Sequence, residues 1–485
     1  MRLVTSCIIA LILFQGCNSR KDLIGAAISR EKLQEDFTLF KNLVTKVHSG
    51  AYAYNTPSQL DRLFDSVAKT IDGPLTTREF YNKVDLVLDR LHCIHSKTAF
   101  PDEYYDSLSN QPMFFPIPLV VIGNRLYVNS TAYTVALGSE VIAVNDKPAT
   151  DLINELSVYA HTDGYSNNAR HSAIDDDFAI NYYLAYGAFK QFSIRCAAPG
   201  SGKFESVNVT AEKLKDINDN MYNDTYYFYP GDAPYDFEMM DEKDAAVLTL
   251  RSFGFDTYAT STAFSHFIDN SFRLIYQNEI HNLVIDCRNN GGGFYSCTYP
   301  VLSYLVNETL PEYDSATRRF DRLPYTEYLA AEDTSKLKYE DSTRKNYTRI
   351  RDAVFTENKA AIKEWEPDLH VFKGRLFLII NEHVASAASN FAAILKEKTN
   401  ALIIGEETGG NNAVHNAAVY NYELPNSHLK IGIPTKRFYQ PVMQQQDGRG
   451  VLPHKYMPTS IDDVINYSDH PMTYVLDSLL TGKVK

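Results

Sequence analysis

The 485-residue sequence has no basic excess. Its 47 lysines and arginines are outnumbered by 60 aspartates and glutamates, a formal charge of −13. Nothing therefore neutralises a phosphate backbone, which excludes a general nucleic-acid binder. Cysteine is scarce as well: the six residues stand at 7, 17, 93, 196, 287 and 297, and none forms a C-x-x-C pair. Neither a zinc site nor a dithiol redox motif is indicated. Cys287 and Cys297 are open to pairing in an oxidising compartment or to remaining buried thiols. Beyond the first residues no run is long and apolar enough to cross a bilayer. Internal repeats and low-complexity tracts are missing too.

What is present is globular. Hydrophobic residues at 44% and charged residues at 22% support a packed core, so wholesale disorder is excluded. The length calls for several domains. Arg2 precedes an apolar run, Leu3 to Phe14, and then Gln15-Gly16-Cys17. The run is too short to span a membrane and fits the core of a secretion signal. A small residue directly before a cysteine resembles a bacterial lipobox. Residues 1–16 are thus expected to be a signal peptide, with Cys17 lipidated and 17–29 a tether. That places the chain outside the cytoplasm, anchored by lipid in the bacterial cell envelope, at the periplasmic face of the outer membrane or at the cell surface. A plain signal peptide with a chance cysteine is the alternative.

Periodicity then divides the chain. Leu33, Phe37, Phe40, Val44 and Val47 fall on one helical face, Leu60, Leu63, Phe64, Val67 and Ile71 on a second, and Phe80, Val84, Val87 and Leu91 on a third. Residues 30–112 read as a helical N-terminal module. Over 113–212 strands take over: Leu119 to Ile122, the turn Gly123-Asn124, Leu126 to Val128, then Gly138 to Pro148 leading into a helix. This stretch resembles the distal half of a PDZ domain, though Ser139 and Asp146 depart from that pattern. From 213 to 470 short apolar strands alternate with helices, which predicts an α/β domain with a covered sheet. Residues 471–485 read as a tail. The polar, Tyr- and Arg-rich stretch 307–368 is open between a cap over the site and a solvated insertion.

Two segments carry the chemistry-bearing pattern most clearly. Val384-Ala385-Ser386-Ala387-Ala388-Ser389 follows a buried strand and opens a helix, where free N–H groups and a partial positive charge converge on the serine. An ordinary helix N-cap serine gives the same local pattern. Asp286-Cys287-Arg288-Asn289-Asn290-Gly291-Gly292-Gly293 follows another buried strand. Its glycines free the backbone to present N–H donors to an anion, as an oxyanion hole or a phosphate loop requires. No G-K-[ST] follows, and Asp286 and Arg288 are read as holding the loop.

Together with Gly405-Glu406-Glu407-Thr408-Gly409-Gly410, these motifs in this order resemble the C-terminal processing peptidase/tricorn family of serine peptidases. The resemblance is good over 245–455 and weaker back to residue 30. It implies a multidomain α+β protein whose α/β catalytic domain is ClpP/crotonase-like. One branch of the family takes a lysine just after the last motif as base; here that place holds Asn411. The other takes a histidine after the N-terminal helices, and the matching run is Cys93-Ile94-His95-Ser96, with His92 a weaker candidate. An acid before a G-V-x-P run orients that histidine, which maps to Asp447 in Asp447-Gly448-Arg449-Gly450-Val451-Leu452-Pro453.

The resemblance thus implies Ser386 as nucleophile, His95 as base and Asp447 as its orienting acid. Backbone N–H groups of Gly291, Gly292 and Ala387 would bind the oxyanion. No metal or organic cofactor is required. The implied partners are peptides or unfolded protein tails as substrates, with membrane contact through the lipid anchor only. A catalytically silent peptide- or glycan-binding lipoprotein on the same fold is the alternative. A crotonase-like acyl-CoA enzyme is a third reading, disfavoured by export.

Overall fold

The computed structural model describes residues 24–224, 233–443 and 448–480. The leader, Cys17, residues 481–485 of the tail and Asp447 lie outside the described residues; the rest of the expected tail is helical and buries Val475 and Leu479 against the catalytic sheet. No helix among the described residues is long and apolar enough to cross a membrane.

Helices Arg30–Lys46, Pro57–Lys69 and Thr77–Asp89 form the N-terminal module. The second and third begin with reciprocal capping boxes, Thr56 with Gln59 and Thr76 with Glu79, which satisfy the first free N–H groups. All three expected stripes point inward; only Leu63 stays partly exposed. The same core also takes in Tyr420, Tyr422, Leu424, Leu429, Ile431 and Ile433, from a long hairpin more than three hundred residues later. The N-terminal helices are therefore fused to the far end of the chain by shared apolar burial, which drives such docking without directional bonds.

The β-rich middle segment is a six-stranded antiparallel sheet around its own core. Helix Asn167–Tyr186 packs on it. In the catalytic region Ala245–Leu250, Asn282–Asp286, Arg375–Ile380, Leu402–Gly405 and Lys455–Tyr456 run parallel, and Tyr235–Met240 is an antiparallel edge. One large apolar cluster covers one face and a smaller one the other, as fully buried strands demand. The fold is thus multidomain α+β with an α/β catalytic domain.

A further sheet joins Tyr347–Arg351, Val354–Glu357 and Ser315–Arg318 to the hairpin Val414–Glu423/Lys430–Tyr439. The stretch 307–368 is consequently folded, and it extends this sheet rather than forming a solvated insertion. Its anchor is Arg318, 1% exposed, paired with Glu340 and lying 3.8 Å over the Tyr347 ring. Strand Lys97–Ala99 adds to the same sheet against Lys430–Gly432. That pairing carries the segment just after His95 into the catalytic region.

Candidate active site

Strand Arg375–Ile380 runs into Asn381 to Ala385, and helix Ala387–Lys398 starts directly after Ser386. Ser386 has φ 52° and ψ −127°, a conformation that side-chain-bearing residues rarely adopt and that costs about 1–3 kcal/mol. Its side chain makes no capping hydrogen bond, so the ordinary N-cap role does not explain it. The residue is half-buried, which leaves the hydroxyl within reach of solvent. The strained turn is held from several sides. Ala385 N–H donates to Asn290 O at 3.1 Å, Gly410 N–H to Val384 O at 3.0 Å, and the Ser389 hydroxyl to Ser386 O at 2.9 Å.

The glycine turn lies against this elbow. A Cβ added at Gly292 would stand 2.7 Å from both the Ala385 carbonyl oxygen and the Ser386 Cβ, and one at Gly410 would stand 2.7 Å from Ser386 N. Gly292, at φ 101°, donates its N–H to Asn290 Oδ1 at 2.9 Å, so that donor is engaged in shaping the turn. Ala387 opens the helix, where an N–H has no acceptor within the helix. Beneath the turn Asp286 is clamped by Arg251 at 2.7 Å and Arg288 at 2.8 Å, and Arg288 reaches on to Asp469 at 2.6 Å. Burial alone would raise the Asp286 carboxyl, but the Arg288 and Arg251 guanidiniums outweigh it and hold it below the usual carboxylate range. Asp286 and Arg288 hold the loop, as expected.

Just before the elbow two carboxyls are buried together. Glu406 and Glu382 are 9% and 8% exposed. Asn168 donates to Glu406 at 3.2 Å and Thr459 N–H at 3.3 Å. Burial, then the neighbouring Glu382, pushes Glu406 up to about 8; Glu382 is raised by burial as well. One proton is thus shared between two acids that cannot both ionise.

His95 sits in the turn between helix Thr77–Asp89 and strand Lys97–Ala99. Ser96 anchors it: its hydroxyl lies 2.7 Å from His48 Nε2 and its carbonyl 2.7 Å from His161 Nδ1. Burial, with help from Lys97, lowers the His95 imidazole to about 4, so the ring is neutral at neutral pH. Its Nδ1 is enclosed without a hydrogen-bond partner. Beside it stands an acid that the sequence did not single out. Asp163, 3% exposed, accepts from Ile94 N–H at 3.0 Å through Oδ1, while Oδ2 has no partner. A side-chain ligand atom from each of Cys93, His95 and Asp163 lies within 4.8 Å of the others. Asp447 falls outside the described residues, but Gly448 follows it, and Tyr165 N–H donates to Gly448 O at 2.9 Å while Gly164 N–H donates to His92 O at 3.1 Å. His92 itself is occupied with Tyr54 and Tyr165, its ring 5.4 and 4.9 Å from theirs.

A further imidazole, unforeseen from the sequence, bridges these parts. His415, fully buried, lies 2.5 Å from Asn411 O through Nε2 and 3.1 Å from the Tyr295 hydroxyl through Nδ1. A carbonyl can only accept, so Nε2 carries the proton and Nδ1 accepts from Tyr295. Its Nε2 is also 3.5 Å from the Ser389 hydroxyl, one helical turn from Ser386. Burial lowers the His415 imidazole, and the nearby Asp163 opposes that shift. The elbow, the glycine turn and the histidine cluster therefore share one neighbourhood, although no hydrogen bond among the described residues joins Ser386 to His95. Such contacts are often loose without substrate.

A strained serine at a strand–helix junction beside a glycine turn has the local geometry of a nucleophile elbow. Residues 244–457 match the model of peptidase family S41, which supports a peptide hydrolase. The overall fold is similar to that of mature CPAF, at 16% identity and TM-score 0.60 over 93% of this chain and 96% of that one. A point mutant of CPAF gives 14% identity and TM-score 0.64 over 94% and 99%. Mature CPAF complexed with lactacystin gives 16% and 0.61 over 94% and 98%. No curated protein sequence matches the chain.

Proposed function

We propose that the chain is an exported serine endopeptidase that cleaves peptides or unfolded protein tails, with Ser386 attacking the scissile carbonyl. The observation that carries this reading is the strained Ser386 backbone, with its hydroxyl unused in capping and the glycine turn in contact. His95, kept neutral by burial, takes the hydroxyl proton and returns it to the leaving amine. The backbone N–H groups of Ala387 and Gly291 bind the oxyanion, each worth about 3 kcal/mol in the transition state, whereas the Gly292 N–H expected there is taken by Asn290 Oδ1. Asp163 holds the imidazolium from the described side; Asp447 is the alternative for that place. The first test is hydrolysis of a mixed peptide library by wild type and Ser386→Ala, together with labelling by a serine-directed phosphonate. Equal turnover by the two forms removes Ser386 as nucleophile, and failure to label Ser386 favours the silent binder.

Lipid anchoring through Cys17 in the cell envelope belongs to the same proposal, supported by the Leu3–Phe14 run and the Gly16-Cys17 junction. Metabolic labelling with a fatty-acid analogue tests it. Label that persists in Cys17→Ser would rule it out.

A further inference from the structure

We infer that Cys93, His95 and Asp163 form a site for a zinc-like divalent ion, and that the ion switches the enzyme off by occupying its base. The inhibitory half rests on His95 being that base; the binding half does not. The three side chains offer a sulfur, a nitrogen and an oxygen within 4.8 Å of one another. Tetrahedral zinc at its usual bond lengths separates such atoms by about 3.5 Å, so closure needs shifts of roughly 1 Å, within the range of side-chain rotation. Thiolate with imidazole selects a borderline-soft metal over calcium or magnesium, which prefer oxygen.

Two further observations point to a ligand. His95 Nδ1 and Asp163 Oδ2 are both enclosed and both lack hydrogen-bond partners, although burying an unpaired polar atom is costly. The supporting contacts are also built: Ile94 N–H fixes Asp163 Oδ1 at 3.0 Å, and Ser96, held by His48 and His161, fixes the turn. The chemistry balances without a redox partner. Cys93 is a thiol in the metal-free protein, its proton held on by burial, and the incoming dication replaces that proton, which leaves to solvent as the zinc–sulfur bond forms. His95 enters as the neutral ring. Local spacing hides this site, because Cys93 and His95 are separated by one residue while the third donor comes from 68 positions after His95.

The test is titration of the full chain with cobalt(II) and with zinc(II). One equivalent of cobalt should bring up a thiolate-to-cobalt charge-transfer band in the near ultraviolet. X-ray absorption of the zinc form should show one sulfur and one imidazole nitrogen in the first coordination sphere. Cys93→Ser should lose the band and bind zinc at least about a hundredfold more weakly, whereas Cys287→Ser should keep both. Zinc should abolish peptide hydrolysis and a chelator should restore it. A wild-type zinc sphere without sulfur overturns the site, with no dependence on how any variant folds. So does a Cys93→Ser protein of unchanged affinity. Thiolate binding that leaves hydrolysis untouched keeps the site and overturns the switch, removing His95 as base.

Discussion

Gly292 and Ser386 touch: a single methyl on the glycine would stand 2.7 Å from the serine Cβ. The glycine turn and the serine turn are thus spaced for backbone against backbone, and Gly292 also holds φ 101°, where an L-side chain is strained. Gly292→Ala is expected to cost about 2–3 kcal/mol of stability and at least about a hundredfold in kcat/KM. Gly291→Ala, where an added Cβ meets nothing, should cost far less stability. Thermal melts and peptide hydrolysis of the pair check this, and equal effects would contradict the contact.

On the proposed reading Ser386 trades stability for reactivity. Replacing it by glycine removes the strain of φ 52° and ψ −127°, so Ser386→Gly should be inactive yet melt higher, by about 1 kcal/mol. Ser386→Ala should be inactive by about 10⁴-fold or more without that gain. A glycine variant less stable than the alanine variant would show that the backbone is not strained.

On the proposed reading His95 sets the acid limit of activity. A general base must be unprotonated, and burial lowers this ring to about 4, so the kcat/KM profile should hold through pH 6 and fall only on approach to that value. His95→Gln should lose about 10³-fold or more. If Asp163 positions the ring, Asp163→Asn should lower kcat with little change in KM, and it should leave a larger deficit than Asp447→Asn. The reverse order assigns the role to Asp447.

The shared proton of Glu382 and Glu406 makes stability fall with pH. Glu406 holds its proton in the folded protein up to about 8, against 4.5 ordinarily. Through that window the folded state binds more protons than the unfolded one, so the contribution is fully present below 4.5 and lost as the pH passes 8. Asp176 adds to the repulsion on Glu382, while Arg288 relieves it. Tm should therefore drop by roughly 5 °C across the window, and Glu406→Gln should flatten the slope. An unchanged slope in that variant would place the proton elsewhere.

Much of this architecture was legible because it is periodic or punctuated. The helix opened by the Ser386 segment starts where expected, after a buried strand. The three N-terminal stripes are buried as read. Illegible were the contacts made across the chain. Asp163 lies in Asp163-Gly164, which reads as a turn, and only the fold brings it under Ile94. His415 is one residue in an alternating strand, with nothing local to mark it as buried. The stretch 307–368 was ambiguous because its polar groups are satisfied at a distance, Arg318 by Glu340 above all. The fate of Cys287 and Cys297 was likewise a matter of position: both are free and buried.

The three-residue strand Lys97–Ala99 is docked against Lys430–Gly432, and Ser386 stands between them in the sequence. A ribosome that has released only the first half of this chain has therefore made an imidazole with no serine to activate and no strand to dock on. One that has reached the serine has still not made the edge that fixes the imidazole. On the proposed reading the hydrolase cannot cut anything, itself included, until the strand at Lys430–Gly432 has emerged.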